Sequence, residues 1–225
     1  MEKVAVANRE RTSAKGEAEV SLAYSAFKRT FDIVVGVCGM IPVLFVSIVL
    51  LPFYMFGKDK GPLFFKQRRI GQNGKAFYIY KFRSMIVNAE EVLRADEELY
   101  AEYVANSFKL PNGKDPRITK LGNFLRKSSL DEIPQFINIL KGDMSFIGPR
   151  PVIESELEEY GDDVDVFLMA KPGAMGLWQA SGRSHIRYPE RANLEIYYVK
   201  NRSLWMDVKI MFKNVVAIFH SDGAY

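Results

Sequence analysis

The stretch IVVGVCGMIPVLFVSIVLLPFYMF, residues 33–56, decides the architecture of this chain. Apart from the thiol of Cys38 and the phenol of Tyr54 it has no ionisable side chain, and it is bounded by Asp32 and Lys58. As a helix it would measure about 36 Å, enough to cross a bilayer core of about 30 Å. It is too long for the apolar region of a signal peptide, and no small-residue cleavage site follows it. We therefore predict a membrane segment.

Pro42 and the basic flanks bear on how this segment meets the membrane. Pro42 removes one helical hydrogen bond and clashes with the preceding turn, so we expect a break there. Lys28 and Arg29 precede the run, and five more Lys or Arg follow it within residues 58–69. Since basic flanks favour the cytoplasmic side, both ends favour the same side, which a re-entrant helix-break-helix satisfies. An ordinary kinked spanning helix is the alternative, because proline is common in transmembrane helices.

The composition excludes several classes of protein. The chain has 225 residues, 48% of them hydrophobic, so it can bury a core and is neither collagen-like nor wholly disordered. One cysteine and two histidines cannot build a disulfide scaffold, a Cys-X-X-Cys zinc site or a histidine-rich metal site. A net charge of +4 is too small for a dedicated nucleic-acid binder, so no nucleic-acid partner is expected.

The chain divides into three predicted parts. These are a flexible N-terminal arm, the membrane segment and a larger domain, over residues 1–24, 25–57 and 58–225. In the larger domain, Leu63–Ile70 and Ala76–Arg83 are aromatic-rich runs on either side of Gly71-Gln72-Asn73-Gly74, a pattern typical of a β-hairpin. Helical spacing prevails elsewhere, so we predict an α+β fold that is mostly helical with one short hairpin.

Four helical segments are predicted in the larger domain. One covers Ile86–Phe108 and faces solvent, and another starts near Asp131, behind a capping box at Ser129–Glu132, and stops before Gly142. The acids within residues 154–165 are expected on a solvated helix face. The C-terminal helix has an apolar stripe, which either lies in the membrane interface or packs on the core: Leu204, Val208, Met211, Val215 and Ile218.

Two adjacent carboxylates and a constrained arginine indicate where chemistry takes place. Asp131 and Glu132 lie at a predicted helix start, where backbone N–H groups favour anions, and Arg126 precedes them. Arg150 stands between Pro149 and Pro151, so it has little conformational freedom to lose on binding a phosphate. Adjacent carboxylates also suit Mg²⁺, which commonly bridges substrate phosphates. With a membrane segment, this pattern favours phosphoryl transfer to or from a lipid.

Four blocks of sequence resemble the bacterial sugar transferase family, the monotopic polyprenyl-phosphate hexose-1-phosphate transferases. They are KFRSM at 81–85, DPRIT at 115–119, LRKSSLDEIPQ at 125–135 and MSFIGPRP at 144–151. The stretch from Lys171 to Arg183 and the Gly223-Ala224-Tyr225 end are similar to the branch that initiates exopolysaccharide or O-antigen synthesis. The resemblance covers about residues 25–225, in order.

The resemblance implies a reaction and its residues. A UDP-sugar, of the hexose, galactose or glucose type, gives its sugar-1-phosphate to undecaprenyl phosphate and releases UMP, with Mg²⁺ as cofactor. Asp131 is the nucleophile that takes the phosphosugar covalently, Glu132 is its partner in a dyad, and both are metal ligands. The candidate substrate-binding residues are Lys81, Arg83, Arg126, Arg150, Gln179 and Arg183.

The resemblance also implies a location and partners. It implies a re-entrant membrane helix, a catalytic domain on the cytoplasmic face of the bacterial inner membrane and interfacial amphipathic helices. Membrane lipid is an expected partner, and a homodimer is left open. A non-catalytic membrane-surface scaffold that binds anionic lipid is the alternative function. A scaffold needs the basic charge but not the Asp131-Glu132 pair beside Arg150.

Overall fold

The computed structural model describes residues 21–56, 58–106, 110, 115–182 and 186–219. The helices α1 to α9 are Leu22–Phe56, Ala89–Ala95, Glu97–Ala105, Lys120–Lys127, Gln135–Lys141, Val164–Leu168, Leu177–Ser181, Glu190–Asn201 and Leu204–Phe219. The strands β1 to β4 are Phe64–Ile70, Ala76–Phe82, Ser145–Ile147 and Gly173–Met175. The described part is therefore mostly helical, as predicted, and the predicted hairpin is confirmed as the antiparallel pair β1–β2. Residues 1–20 of the predicted arm lie outside the described residues.

Helix α1 contains the apolar run and is continuous. Pro42 and Pro52 both lie inside its 35 residues, so the break expected at Pro42 does not interrupt the helix. A proline takes one N–H out of the helical ladder, and the hydrogen bonds on either side are enough to maintain a helix around it. By length and composition, α1 is sufficient to cross a membrane. Its re-entrant or spanning topology stays a prediction.

The two sides of α1 differ in burial. One side faces the rest of the protein with a stripe of buried residues: Asp32, Gly36, Gly39, Val43, Leu50 and Tyr54. Gly39 allows close packing, because a Cβ there would lie 2.3 Å from ring atoms of Phe136 in α5. The other side exposes large apolar side chains such as Ile41, Phe45 and Ile48, at 73%, 68% and 63%. The outer side of α1 is therefore an apolar surface.

Polar contacts fasten the N-terminal half of α1 to the domain. Arg29 donates to the carbonyl oxygens of Ile139 and Leu140 at 2.8 and 2.9 Å and so caps the C-terminus of α5. Asp32 accepts a hydrogen bond from the backbone N–H of Phe146 in β3 at 2.8 Å. The helix that follows the carboxylate pair is therefore held at its far end by α1.

Contacts at both ends show that α1 lies against the domain along its length. Near the N-terminal end, the Lys28 ammonium is 2.6 Å from a carboxylate oxygen of Asp207 in α9. Near the C-terminal end, the Tyr54 hydroxyl donates to the carbonyl oxygen of Arg83. Leu50 and Tyr54 also join a buried apolar cluster with Phe82. A helix that projected away from the domain would make contacts at one end only.

A second two-stranded sheet, which the sequence does not predict, pairs β3 with β4 in parallel. Three-residue strands are too short to show an alternating pattern. The loop after β3 and the start of β4 touch: a Cβ at Gly173 would lie 2.0 Å from the backbone nitrogen of Gly148. This contact fixes the start of the Gly148-Pro149-Arg150 loop.

The helix predicted over Ile86–Phe108 is instead two short helices, α2 and α3. Asp96 separates them in an extended conformation, and its side chain accepts a hydrogen bond from the Leu99 N–H at 3.0 Å. The local cap therefore outweighs continuation of the helix, as is common for aspartate.

One further expectation is corrected, and α9 packs on the domain through one face. The acidic stretch forms a 3₁₀ helix over Glu154–Asp163 with a kink at Gly161, and Glu156 is buried in it rather than solvated. Glu156 is buried because Arg69 and Arg191 neutralise its charge. In α9, the face that packs on the domain carries Asp207, Ile210 and Asn214.

Of the predicted apolar stripe of α9, Leu204, Val208 and Val215 lie outward and Met211 packs against the core cluster that contains Ile210, while the side chain of Ile218 lies outside the described residues. Leu204, Val208 and Val215 are 39%, 38% and 39% exposed, and Trp205 and Phe212 beside them are exposed as well. An amphipathic helix with this outward face is typical of an interfacial helix.

Candidate active site

The carboxylate pair lies in a 3₁₀ turn, Leu130–Glu132, just before α5. The predicted capping box is wrong, because Ser129 has a left-handed backbone (φ 57°) and makes no side-chain cap. The predicted helix likewise begins at Gln135, after Pro134, rather than at Asp131. The turn places Asp131 inward, where it is 3% exposed, and Leu130 packs in the apolar cluster of α1 and β2.

Lys81 of β2 reaches this turn from the neighbouring hairpin. Its ammonium is 2.6 Å from Oε1 of Glu132, with side chains 20% and 30% exposed. Asn138 of α5 holds the two elements together: its Oδ1 accepts from the Tyr80 N–H at 2.9 Å and its Nδ2 donates to the Tyr78 carbonyl at 2.7 Å. The strand that carries Lys81 is therefore tied to the helix that follows Glu132.

The pKa values of the two neighbouring carboxylates are shifted in opposite directions. Burial raises the pKa of Asp131 to about 6, against the opposing effect of the Lys81 ammonium, and the Glu132 charge adds to the rise. Burial would also raise the pKa of Glu132, but the cations of Lys81 and Arg150 outweigh it and hold this pKa well below its usual range. Oδ1 of Asp131 is buried and has no hydrogen-bond partner among the described residues.

Arg126 contributes a second positive charge to the turn. It lowers the pKa of Asp131, and its Nε donates to the Ser84 hydroxyl at 2.9 Å. The structure thus brings Lys81, Arg126, Asp131 and Glu132 together, and their roles stay predictions. We call these four residues the dyad cluster.

Arg150 also acts on the dyad, since its charge lowers the pKa of Glu132. The guanidinium carbon lies 5.5 Å from the ring centre of Trp178, and Nε is buried with no hydrogen-bond partner among the described residues. Stacking on an aromatic face orients a guanidinium without consuming its donors. Arg150 therefore keeps the capacity to bind a phosphate.

Arg83 has a different environment from the one predicted. Its three guanidinium nitrogens donate to the carbonyl oxygens of Pro62, Met85 and Asp59. The side chain also stacks on Tyr54, with the guanidinium carbon 4.8 Å from the ring centre. Arg83 thus joins the hairpin to the end of α1, and its donors point to the backbone rather than to the dyad.

The other two predicted binding residues are less informative. Gln179 of α7 donates to the Ala174 carbonyl at 3.3 Å, and its Oε1 is buried without a hydrogen-bond partner in the described part of the chain. Arg183 lies outside the described residues.

Sequence reasoning misses a buried set of charged residues behind Arg150. This arginine–glutamate network comprises Arg69, Glu156, Arg191 and Glu195. Trp178, which the sequence marks only as aromatic, lies against Arg150 and Arg191. Arg191 and Glu195 are an i,i+4 pair, which is equally common on solvated helices, and the partners of Glu156 are 35 and 87 positions away, so no local signal marks these residues as buried.

The dyad offers oxygen ligands for Mg²⁺ but not a complete cage. Asp131 has a carboxylate oxygen without a partner, whereas Oε1 of Glu132 is held by Lys81. Among the described residues, no group of three or more His, Cys, Asp or Glu is placed to hold a metal. Mg²⁺ is commonly bound by one or two carboxylates together with substrate phosphates and water. The residues therefore fit Mg²⁺ shared with a substrate diphosphate.

The chain is similar to known proteins over most of its length. The family model described as bacterial sugar transferase matches residues 23–221. The undecaprenyl-phosphate galactose phosphotransferase of Salmonella typhimurium is 48% identical over 201 residues, 88% of this chain and 41% of the relative. The UDP-galactose-lipid carrier transferase of Erwinia amylovora is 50% identical over 202 residues, with coverage of 88% and 41%.

A third relative is similar in length. The exopolysaccharide production protein ExoY of Sinorhizobium fredii is 40% identical over 202 residues, which are 88% of each chain. By contrast, the alignment covers only 41% of the Salmonella and Erwinia relatives. The aligned region is therefore less than half of the two longer relatives, whereas it makes up most of ExoY.

Proposed function

This chain belongs to the bacterial sugar transferase family, and on that premise we propose that it transfers a sugar-1-phosphate from a UDP-sugar to undecaprenyl phosphate and releases UMP. The observation that carries the proposal is the buried carboxylate of Asp131, which keeps an oxygen without a partner beside the Lys81–Glu132 ion pair. A scaffold has no use for such an arrangement, because an unsatisfied buried carboxylate destabilises the fold.

The reaction proceeds in two displacements at one phosphorus atom. In the first, an oxygen of Asp131 attacks the sugar-bearing phosphorus, the bond to the oxygen that bridges the two phosphates breaks, and UMP leaves with the electron pair. In the second, a phosphate oxygen of undecaprenyl phosphate attacks the same phosphorus. The aspartyl bond then breaks, which restores the carboxylate and yields the diphosphate-linked lipid sugar. Covalent catalysis divides one difficult displacement into two easier ones.

The other cluster residues stabilise charge in these steps. Lys81 keeps Glu132 ionised, so the ion pair holds the negative charge of Glu132 next to the nucleophile Asp131. Arg126 and Arg150 supply cationic donors for the diphosphate, whose charge shifts to the leaving UMP in the first step. When bound by Asp131, Glu132 and the diphosphate, Mg²⁺ would neutralise part of the phosphate charge.

The names of the relatives suggest the sugar. Two relatives at 48% and 50% identity are named for galactose, and one from Klebsiella pneumoniae at 36% is named for glucose. UDP-galactose is therefore the first substrate to test, with UDP-glucose as its matched competitor, because the two differ only in the orientation of one hydroxyl.

The reaction is tested with purified protein in detergent, given UDP-galactose and Mg²⁺ but no lipid acceptor. We expect a burst of at most one equivalent of UMP and a mass increase equal to one hexose phosphate. With undecaprenyl phosphate added, initial rates should follow a ping-pong pattern. UMP release that requires the lipid and leaves no adduct would replace the covalent route by direct attack of the lipid phosphate. No UMP from any UDP-sugar would favour the scaffold.

We also propose that the protein is monotopic, with the catalytic domain on the cytoplasmic face of the inner membrane. The polar residues Arg29 and Asp32, near one end of α1, and Tyr54, near the other, contact the same domain. The outer side of α1 is apolar, and the outward stripe of α9 is apolar too. A spanning α1 would carry part of this domain across the bilayer with it, together with its buried charges.

The membrane arrangement is tested by thiol labelling in intact cells, in a Cys38→Ala background. Single cysteines at Ser21 and Lys60, both exposed, report on the two ends of α1. Both should be protected from an impermeant reagent and become reactive after the cells are opened. Labelling of one site alone in intact cells would demonstrate a spanning helix.

A further inference from the structure

The backbone of Pro149-Arg150-Pro151 is fastened at each of its three residues. The Gly173 N–H donates to the Pro149 carbonyl at 2.7 Å, and Nη1 of Arg69 donates to the Pro151 carbonyl at 3.0 Å. Both prolines lack an N–H, so Arg150 has the one N–H of this tripeptide. That N–H donates to Oε1 of Glu195 at 3.1 Å.

Glu195 is itself held rigidly. It is 1% exposed in the middle of α8, and its second oxygen accepts a hydrogen bond from the Tyr160 hydroxyl. Arg191, one turn earlier in α8, places Nε 3.9 Å from Oε1 of Glu195 and Nη1 3.5 Å from Glu156. A buried carboxylate with both oxygens engaged has one favourable position, so the backbone that it binds is fixed as well.

The side chain of Arg150 contrasts with its backbone. Its guanidinium lies on the face of Trp178, which is 4% exposed, and Nε has no hydrogen-bond partner among the described residues. The positive charge of Arg150 lowers the pKa of Glu132 in the dyad. The backbone of Arg150 is thus engaged in structural contacts, whereas its guanidinium stays available to bind phosphate.

We propose that Glu195 is a positioning residue for Arg150: by holding the Arg150 backbone N–H, it places the guanidinium on Trp178 and toward the substrate diphosphate. The two prolines restrict the backbone torsions, and Glu195 anchors that restricted segment to α8. A guanidinium delivered in its bound geometry loses little freedom when it meets the phosphates, and displacement by about 1 Å can cost about 100-fold in rate. The inference rests on the proposed transfer reaction.

A double-mutant cycle tests this role through kcat/KM for the UDP-sugar. Glu195→Met replaces the carboxylate by an apolar side chain of similar length, and we expect about a 10- to 100-fold loss of kcat/KM. In an Arg150→Ala background the same replacement should change kcat/KM by less than about twofold, because the residue through which Glu195 acts has gone. An equal loss in both backgrounds would overturn the proposal.

Conservative variants separate position from charge and from folding. Glu195→Gln keeps an acceptor oxygen at the same reach and should retain at least about a third of kcat/KM. Glu195→Asp keeps the charge opposite Arg191, and hence the fold, but is one methylene shorter and should lose about fivefold or more. If Glu195→Met does not fold, this Gln–Asp pair decides the question. Loss in Gln with retention in Asp would show that charge matters and contradict the proposal.

Tyr160→Phe is the matched control. It removes one of the two hydrogen bonds that orient Glu195 and leaves the one to Arg150, so kcat/KM should fall by less than in Glu195→Met, and this fall too should vanish in the Arg150→Ala background. A fall of kcat/KM in Tyr160→Phe that persisted in the Arg150→Ala background would assign Glu195 a purely structural role. The cycle also distinguishes failures: an inactive wild type refutes the proposed transfer reaction, whereas an active enzyme indifferent to Glu195→Met and Glu195→Asp refutes only this inference.

Discussion

The dyad cluster and the arginine–glutamate network use the same residue types for different purposes. In the network, both oxygens of Glu156 and both of Glu195 accept hydrogen bonds. In the dyad cluster, Oδ1 of Asp131 has no partner among the described residues, and burial raises the pKa of this carboxyl. The network engages every carboxylate oxygen, and the buried nitrogens that lack a partner there belong to Arg69 and Arg191, whereas in the dyad cluster it is a carboxylate oxygen that has no partner among the described residues.

The largest expected effect is at the unsatisfied carboxylate. Asp131→Asn keeps the size of the side chain but is a far poorer nucleophile, so we expect kcat to fall by at least about 10³-fold and the hexose phosphate adduct to disappear. UMP release and intact-protein mass measure the effect. Asp163→Asn, at an exposed carboxylate paired with Lys200, is the control and should retain full activity. Substantial turnover in Asp131→Asn would show that the Asp131 carboxylate is not the nucleophile, and the dyad cluster would then not differ from the network in this respect.

The partner carboxylate should rank second. Glu132→Gln releases Lys81 from its 2.6 Å ion pair and alters the charge beside the nucleophile. When residues act as a unit, removing one of them costs nearly as much as removing all. We therefore expect about a 100-fold loss of kcat, with Tm changed little. The first half-reaction, followed as UMP release without lipid, is the measurement. A large fall of Tm instead would place Glu132 with the structural charges.

In the network, the expected effect is on stability. Glu156→Gln removes the charged partner of the buried Arg69 and leaves the buried Arg191 with Glu195 alone, so unfolding should become easier by about 3 kcal/mol. The surrounding cations lower the pKa of Glu156, against the effect of burial, so its contribution is present above the ordinary glutamate value and is lost as pH falls below it. Denaturant unfolding of both proteins at pH 7 and at about pH 3 measures this. A stability difference independent of pH would contradict the assignment.

Arg150 and Arg83, which the sequence groups together as binding residues, should respond differently to substitution by lysine. Arg150→Lys keeps the charge but loses the planar fork, so we expect about a tenfold or larger loss of kcat/KM. Arg83→Lys loses donors to the backbone carbonyls and should lower Tm more than kcat/KM per folded molecule. Activity and thermal unfolding of both variants give the comparison. A larger loss of kcat/KM than of Tm in Arg83→Lys would indicate that Arg83 binds phosphate.

The smallest effect is expected at an exposed pair of the same chemistry. Arg68 and Glu154 are 3.0 Å apart with side chains 58% and 73% exposed. Solvent and salt screen such a pair, so Arg68→Ala should change the free energy of unfolding by less than about 0.5 kcal/mol. Its neighbour Arg69 provides the comparison, because Arg69→Ala leaves Glu156 buried with one partner fewer. Equal losses in the two variants would show that burial does not distinguish them.

Local patterns gave reliable predictions where a residue's neighbours in the chain decide its conformation. The hairpin follows from a glycine-containing turn, in which Asn73 and Gly74 adopt positive φ, between two aromatic runs. The C-terminus of α5 follows from Gly142, whose φ is +84°. Local preferences also compete, which is why Asp96 divides the helix predicted over residues 86–108 and why Pro134 delays the start of α5.

Burial was the property that sequence patterns misjudged. Acids at 154–165 were expected in solvent, yet Glu156 is inside because arginines from β1 and α8 reach it. Arg83 and Arg150 both belong to motifs of the family, yet only the fold shows that one binds backbone carbonyls and the other lies on Trp178. A charged side chain can be buried only with its partners, and partners distant in the chain leave no local pattern.

The sequence by itself determined the apolar helix α1, the mostly helical fold with its hairpin, the family and the Asp131-Glu132 pair. These depend on composition, spacing and contiguous motifs, which folding does not alter. Only the tertiary structure decided that α1 lies along the domain and caps α5, that Lys81 meets Glu132 across 51 positions, and that Glu195 holds Arg150 across 45. Those contacts join distant segments, and their energies depend on burial and distance, which exist only after the chain has folded.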